Sequence, residues 1–143
     1  MNDWLKKRQD DKNAVISTIA TIPQIRMTRK IDGEYTLLDE QKHTYFESSI
    51  GMVSNWKCRG PIYEIPFETL YNKNVKNLSV AGRCVSVDET LWDVMRVIPC
   101  CAVTGQAAGT AAAMSSDFTQ LNVFDLQREL QKSGVVLHEK ELV

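Results

Sequence analysis

An α+β fold is predicted by three features: β-branched, alternating segments before residue 76, an alanine-rich run after Pro99, and an amphipathic helical pattern between Asn122 and Gly134. The 143 residues carry 17 Lys+Arg against 18 Asp+Glu, a net charge of -1, with 43% hydrophobic side chains, the balance of an ordinary globular domain. A chain of this length buries roughly 68–70% of its unfolded surface, so its core needs neither a disulfide nor a structural metal. Near-neutral charge argues against nucleic acid as a partner, because the one dense basic run, Lys6-Lys7-Arg8, meets Asp10 and Asp11 at once.

The four cysteines, Cys58, Cys84, Cys100 and Cys101, have no C-x-x-C spacing, and only His43 and His138 are available to complete a metal site. Free thiols, no metal and a cytoplasmic location are expected, since residues 1–7 lack the apolar stretch of a secretory signal. His43 and His138 sit among polar neighbours, which predicts exposed rings.

Taken in order, residues 1–12 read as a short surface helix and 13–76 as an antiparallel β segment. Within that segment, 24–30 alternates up to Asp32-Gly33 and resumes at Tyr35 and Leu37, predicting a hairpin with Asp-Gly at its turn. Residues 39–60 predict irregular backbone around Ile50-Gly51-Met52-Val53. Pro61 to Phe67, with a proline near each end, predicts an edge strand or wrapped loop, and 71–75 predicts an asparagine-rich turn. Leu78-Ser79-Val80-Ala81 before Gly82 predicts a buried parallel strand entering a tight connection.

After Pro99 the alanine-rich run predicts a helix to Met114 on which Gly105, Ala108, Gly109 and Ala112 share one nearly bare face, so a neighbour must approach closely there. At about 1.5 Å per residue that helix spans roughly 22 Å, short of a roughly 30 Å hydrocarbon core, so no membrane span is expected. Asn122 as N-cap, Leu126 and Leu130 on one face, and Gly134 as the stop define a last helix.

The junction of strand 78–81, Gly82-Arg83 and the start of the alanine-rich helix is where a ligand is expected, because a helix start offers unpaired N–H groups and partial positive charge. At these residues the sequence resembles the FAD-dependent oxidoreductases of the two-domain flavoprotein superfamily. The likeness is carried, in order, by Tyr63-Glu64-Ile65-Pro66-Phe67, by residues 75–86 including Ala81-Gly82-Arg83, and by Arg96-Val97-Ile98-Pro99 followed by Thr104-Gly105-Gln106-Ala107-Ala108-Gly109. Residues 26–37 and 126–135 resemble the flanking hairpin and closing helix.

The resemblance implies an incomplete, Rossmann-like carboxy-terminal portion of an FAD-binding domain over 77–143. It implies that Gly82 and Arg83 lie beside the ribityl-pyrophosphate and that Pro99 runs beside the flavin ring, with amides near Thr104, Gly105 and Gln106 facing the pyrimidine oxygen. Many related flavoproteins carry Gly-Asp where this chain has Gly82-Arg83. Arg26, Arg29 and Arg96 are candidates for holding an anionic small-molecule substrate by bidentate contacts. Cys100 or Cys101 is a candidate redox neighbour against a plain buried-thiol reading, and Tyr45, Tyr63 and Trp92 are packing or stacking aromatics.

One expected element is missing. A dinucleotide's ADP half needs a Gly-x-Gly-x-x-Gly turn, and the seven glycines here contain no Gly-x-Gly pair. The expectation is therefore a carboxy-terminal fragment of an FAD-dependent oxidoreductase, with a possible second polypeptide carrying the glycine-rich half. A non-catalytic binding or assembly module, and a truncated product without function, stay open beside it.

Overall fold

The computed structural model describes residues 28–142, together with positions 13, 18, 21 and 22. The expected helix over 1–12 and residues 24–27 of the expected Asp32-Gly33 hairpin, Arg26 among them, lie outside the described residues. The fold is α+β, with two antiparallel strand pairs and three α-helices among the described residues.

Near-continuous burial marks the first pair. Strand β1 (Ser49–Ser54) sets Ile50 and Val53 inward and pairs antiparallel with β2 (Ile62–Pro66), placing Met52 opposite Glu64 and Val53 opposite Tyr63. The ladder is irregular between Ser49 and Met52, where Gly51 takes φ +138°, a conformation that disfavours any Cβ. A Cβ at Gly51 would stand 2.7 Å from Val103 Cγ1, so this glycine is what lets a helix lie directly on the strand. Pro66 closes β2 at an edge, as its missing N–H requires.

The second pair is β3 (Tyr71–Asn72) with β4 (Val75–Ser79), joined through Lys73-Asn74, where the Asn72 side chain accepts from the Asn74 amide at 2.8 Å. The expected buried parallel strand at 78–81 is corrected here: β4 pairs antiparallel with β3, and its apolar Val75 and Leu78 are each 47% exposed. Residues 28–36 form no hairpin strand. Ile31, Glu34, Tyr35 and Leu37 instead donate their amides to Cys84, Tyr71, Glu68 and Ser86, and Gly33 does not adopt the positive φ of a turn. Long-range backbone partners therefore override the local Asp-Gly turn signal. Leu37 also makes a single parallel bridge to Val87.

Helix α1 (Glu89–Met95) starts at Asp88, whose carboxylate accepts from Leu91 N at 2.7 Å. Helix α2 (Ile98–Met114) follows after a bend of 89° and packs Cys100, Thr104, Ala107 and Ala111 inward against β1 and α3. Helix α3 (Val123–Lys132) has Asn122 as its cap, accepting from Phe124 N, buries Leu126 and Leu130, and ends at Gly134, as the spacing predicts. Leu37, Ile50, Ile65, Leu70, Leu91, Met95, Leu126, Leu130 and Leu137 form a fully buried core between hairpin and helices.

His138 is a third correction. It is buried, and its Nδ1 lies 2.9 Å from Oε2 of the equally buried Glu64. Glu64 also accepts the amides of Phe46 at 2.8 Å and Glu139 at 3.0 Å, so one carboxylate ties the carboxy-terminal segment and the loop before β1 to strand β2. A buried carboxyl group is tolerated when its oxygens are hydrogen-bonded this way. His43, by contrast, is exposed and pairs with Glu139.

Candidate functional site

The site grows out of the turn that follows β4. Val80 N donates to Leu70 O at 2.8 Å, after which Gly82 (φ +64°) opens a 3-10 turn, Gly82–Cys84. A Cβ at Gly82 would lie 3.1 Å from Cys101 Sγ, so the turn is pressed against the first turns of α2. The fully buried Thr104 staples the two: its Oγ1 accepts the Gly82 amide at 2.8 Å and donates to Cys100 O at 2.7 Å. Thr104→Val keeps the shape and removes the acceptor, orphaning a buried N–H. An equilibrium urea melt is expected to show a loss of about 1–3 kcal/mol.

Helix α2 begins with an uncapped end. Val97 is its extended N-cap and supplies no side-chain acceptor, Pro99 has no N–H, and Cys101 N bonds to Val97 O at 3.0 Å. The amides of Ile98 and Cys100 are thus the first-turn donors without a partner among the described residues, and the positive end of the helix dipole lies there. Thr104, Gly105 and Gln106 fall beyond the first turn, so their amides serve the helix ladder, and the bare donors lie earlier than the sequence suggests. The proline before an alanine-rich run was the available signal for this start.

The 89° bend between α1 and α2 leaves a cavity of about 470 Å³ lined by Arg83, Arg96, Val97, Ile98 and Pro99. No bulky side chain of the described chain covers Ile98, which is 84% exposed. Arg96 Nε donates to Asp93 Oδ1 at 2.9 Å, while Lys57 Nζ sits 3.0 Å from Asp93 Oδ2. These two cations, Arg96 foremost, hold the Asp93 carboxyl below the usual carboxylate range. Trp92 Nε1 donates to Arg83 O at 3.2 Å and fixes the backbone beneath that arginine.

Among the sequence-derived candidates, Arg83, Arg96 and Pro99 line this cavity, while Gly82 is buried behind Arg83 against Cys101 and is held there by Thr104. Gly105 and Gln106 lie exposed further along α2, and Arg29 is exposed and does not line the cavity. A Cβ added at Gly105 or Gly109 would meet nothing within 4 Å, so the bare face of α2 is uncovered among the described residues. Cys100 is buried, its thiol pointing at Val94 O, and burial pushes that thiol up to about 12, so it stays protonated at neutral pH. Tyr63 is a packing aromatic whose hydroxyl donates to Asp39, and Tyr45 stacks on His138 at 4.6 Å. Lys57 and Asp93, which set Arg96, were not singled out by sequence, because their pairing crosses from the β1–β2 loop to α1.

Among the described residues no group of three His, Cys, Asp or Glu side chains is placed to hold a metal ion, and no single helix is long and apolar enough to cross a membrane. The cavity is lined by two arginines, by Ile98 with its unpaired amide, and by the apolar side chains of Val97 and Pro99, a set suited to a flat ring with an electron-rich edge. A family model described as FAD dependent oxidoreductase matches residues 1–132 of the 143-residue chain. The chain belongs to the FAD-dependent oxidoreductase family, and FAD is the cofactor of that family. Curated proteins and solved structures gave no match.

Proposed function

We propose that these residues contribute the flavin-ring side of an FAD site in an oxidoreductase, with the ADP-binding half supplied by a glycine-rich element outside the 143 residues. FAD, when bound, supplies the chemistry: it takes a hydride or electron pair from an organic substrate and passes it on. The observation that carries this reading is the open start of α2, where the Ile98 amide has no partner among the described residues and Arg83, in the turn begun by Gly82, lines one cavity with Arg96 and residues 97–99.

Each residue has a defined task. The free amides donate to the electron-rich edge of the ring, and the dipole of α2 favours negative charge there. Gly82 lets its turn pack closely on the start of α2, while Val97, Ile98 and Pro99 give the cavity an apolar lining for the ring. The exposed Val75 and Leu78 on β4 and the open face of α2 support the need for a covering half.

Reconstitution tests the proposal. The chain is mixed with FAD, with and without a polypeptide bearing a Gly-x-Gly-x-x-Gly βαβ unit, and desalted. Yellow colour retained only with the partner is the expected result. Colourless protein in both arms contradicts it and favours a non-catalytic assembly module built on the same open α2 face.

A further inference from the structure

The bend between α1 and α2 is held from a distant part of the chain. A helix end leaves carbonyls without partners inside the helix. At the end of α1 two of them are met from outside: Val94 O accepts the Cys100 thiol at 3.1 Å, and Asp93 O accepts Trp56 Nε1 at 3.0 Å from the β1–β2 loop. Lys57, the next residue of that loop, places Nζ 3.0 Å from Asp93 Oδ2, while Oδ1 takes Arg96 Nε at 2.9 Å. One loop thus grips Asp93 by backbone and side chain together. The loop is shaped for this, since Asn55 N donates to Pro61 O at 3.0 Å across its base and Asn55 Oδ1 accepts Lys57 N at 2.9 Å. Trp92, the residue before Asp93, donates Nε1 to Arg83 O, so the last turn of α1 reaches both arginines of the cavity.

We propose that Trp56 and Lys57 are positioning residues that set the α1–α2 bend, and with it the shape of the cofactor cavity, coupling the β1–β2 loop to the FAD site. The cofactor role rests on the flavin-ring reading above. Neither residue lines the cavity. Each acts through Asp93, whose carboxylate passes the constraint to Arg96 and whose backbone passes it to Val97 and Ile98 at the start of α2. Trp56 is 55% exposed, and the Lys57 and Asp93 side chains are 43% and 50% exposed, so the grip adds little to stability and its effect is on position.

The test compares Trp56→Phe, which deletes the indole donor, and Lys57→Met, which deletes the cation, with the unaltered full chain. In ¹⁵N-resolved spectra both variants are expected to move the Arg96 Nε–H and Ile98 amide signals while Leu126 on α3 stays still, and Lys57→Arg restores the Arg96 signal. Lys132→Met, which breaks an equally exposed pair with Glu129 on α3, moves neither. Urea midpoints stay unchanged throughout. In the chain reconstituted with the glycine-rich half, both variants hold FAD about fivefold more weakly, the size of one ordinary hydrogen bond. Unmoved Arg96 and Ile98 signals overturn the proposal, as does FAD held as tightly as before. So does a urea midpoint that falls along with FAD affinity, because that marks loss of fold and not of position. The two readings separate cleanly: unaltered chain that retains colour while the variants leave the cavity signals still sinks the positioning role alone. Cavity signals that move in a chain that never turns yellow support the bend-setting role and contradict the flavin-ring reading.

Discussion

Glu64→Gln is expected to lower the stability of the folded chain by about 3 kcal/mol, the largest effect of any isosteric change at a polar residue here. The reason is donor arithmetic. Glu64 Oε2 takes Phe46 N and lies against His138 Nδ1, and Oε1 takes Glu139 N. A glutamine offers one carbonyl oxygen for these groups and turns its NH2 toward the remaining amide, so two donors face each other in a buried site. The imidazole also loses its carboxylate, while the stacked Tyr45 ring cannot replace it. Equilibrium urea denaturation of the full chain reads the change. A midpoint shift equivalent to less than about 0.5 kcal/mol, the ordinary range for surface substitutions, would show that Glu64 is not the tie between the carboxy-terminal segment and β2.

Gly51→Ala is expected to cost a similar amount, about 3 kcal/mol, from two separate sources. The φ of +138° is strained for any residue with a Cβ, and the new methyl would meet Val103 Cγ1 at 2.7 Å. These sources can be divided experimentally, because Val103→Ala in the Gly51→Ala background removes the collision and leaves the backbone strain. The double variant should recover part of the lost stability and no more. Full recovery would mean that the backbone at 51 relaxes freely, and no recovery would mean that α2 does not rest on β1 through this contact.

Legibility in the sequence followed the range over which each signal acts. Helix α3 was readable from its own residues, since Asn122, Leu126, Leu130 and Gly134 cap, pack and stop it within one segment. The β3–β4 turn was readable for the same reason, through Asn72 and Asn74. The Asp32-Gly33 turn did not form because Leu37 and Ile31 take their partners from Ser86 and Cys84, far along the chain. His138 looked exposed beside Glu139 and Lys140, yet its partner is Glu64, 74 residues earlier. At the site, Arg83, Arg96 and Pro99, singled out from the sequence, line one cavity beside the Gly82 turn, whereas the free amides at Ile98 and Cys100 followed from where α2 actually starts. Asp93 and Lys57 became visible only once the β1–β2 loop was seen to reach α1.

The central claim is that the start of α2 faces the flavin ring, and reducing the cofactor tests it most directly. In the chain reconstituted with FAD and a glycine-rich half, dithionite reduction adds negative charge to the ring edge. The account predicts that the Ile98 and Cys100 amide resonances move most in ¹⁵N-resolved spectra, with α3 amides such as Leu126 nearly still. Unmoved Ile98 and Cys100 amides, with the largest shifts on α3 or the carboxy-terminal segment, would contradict it.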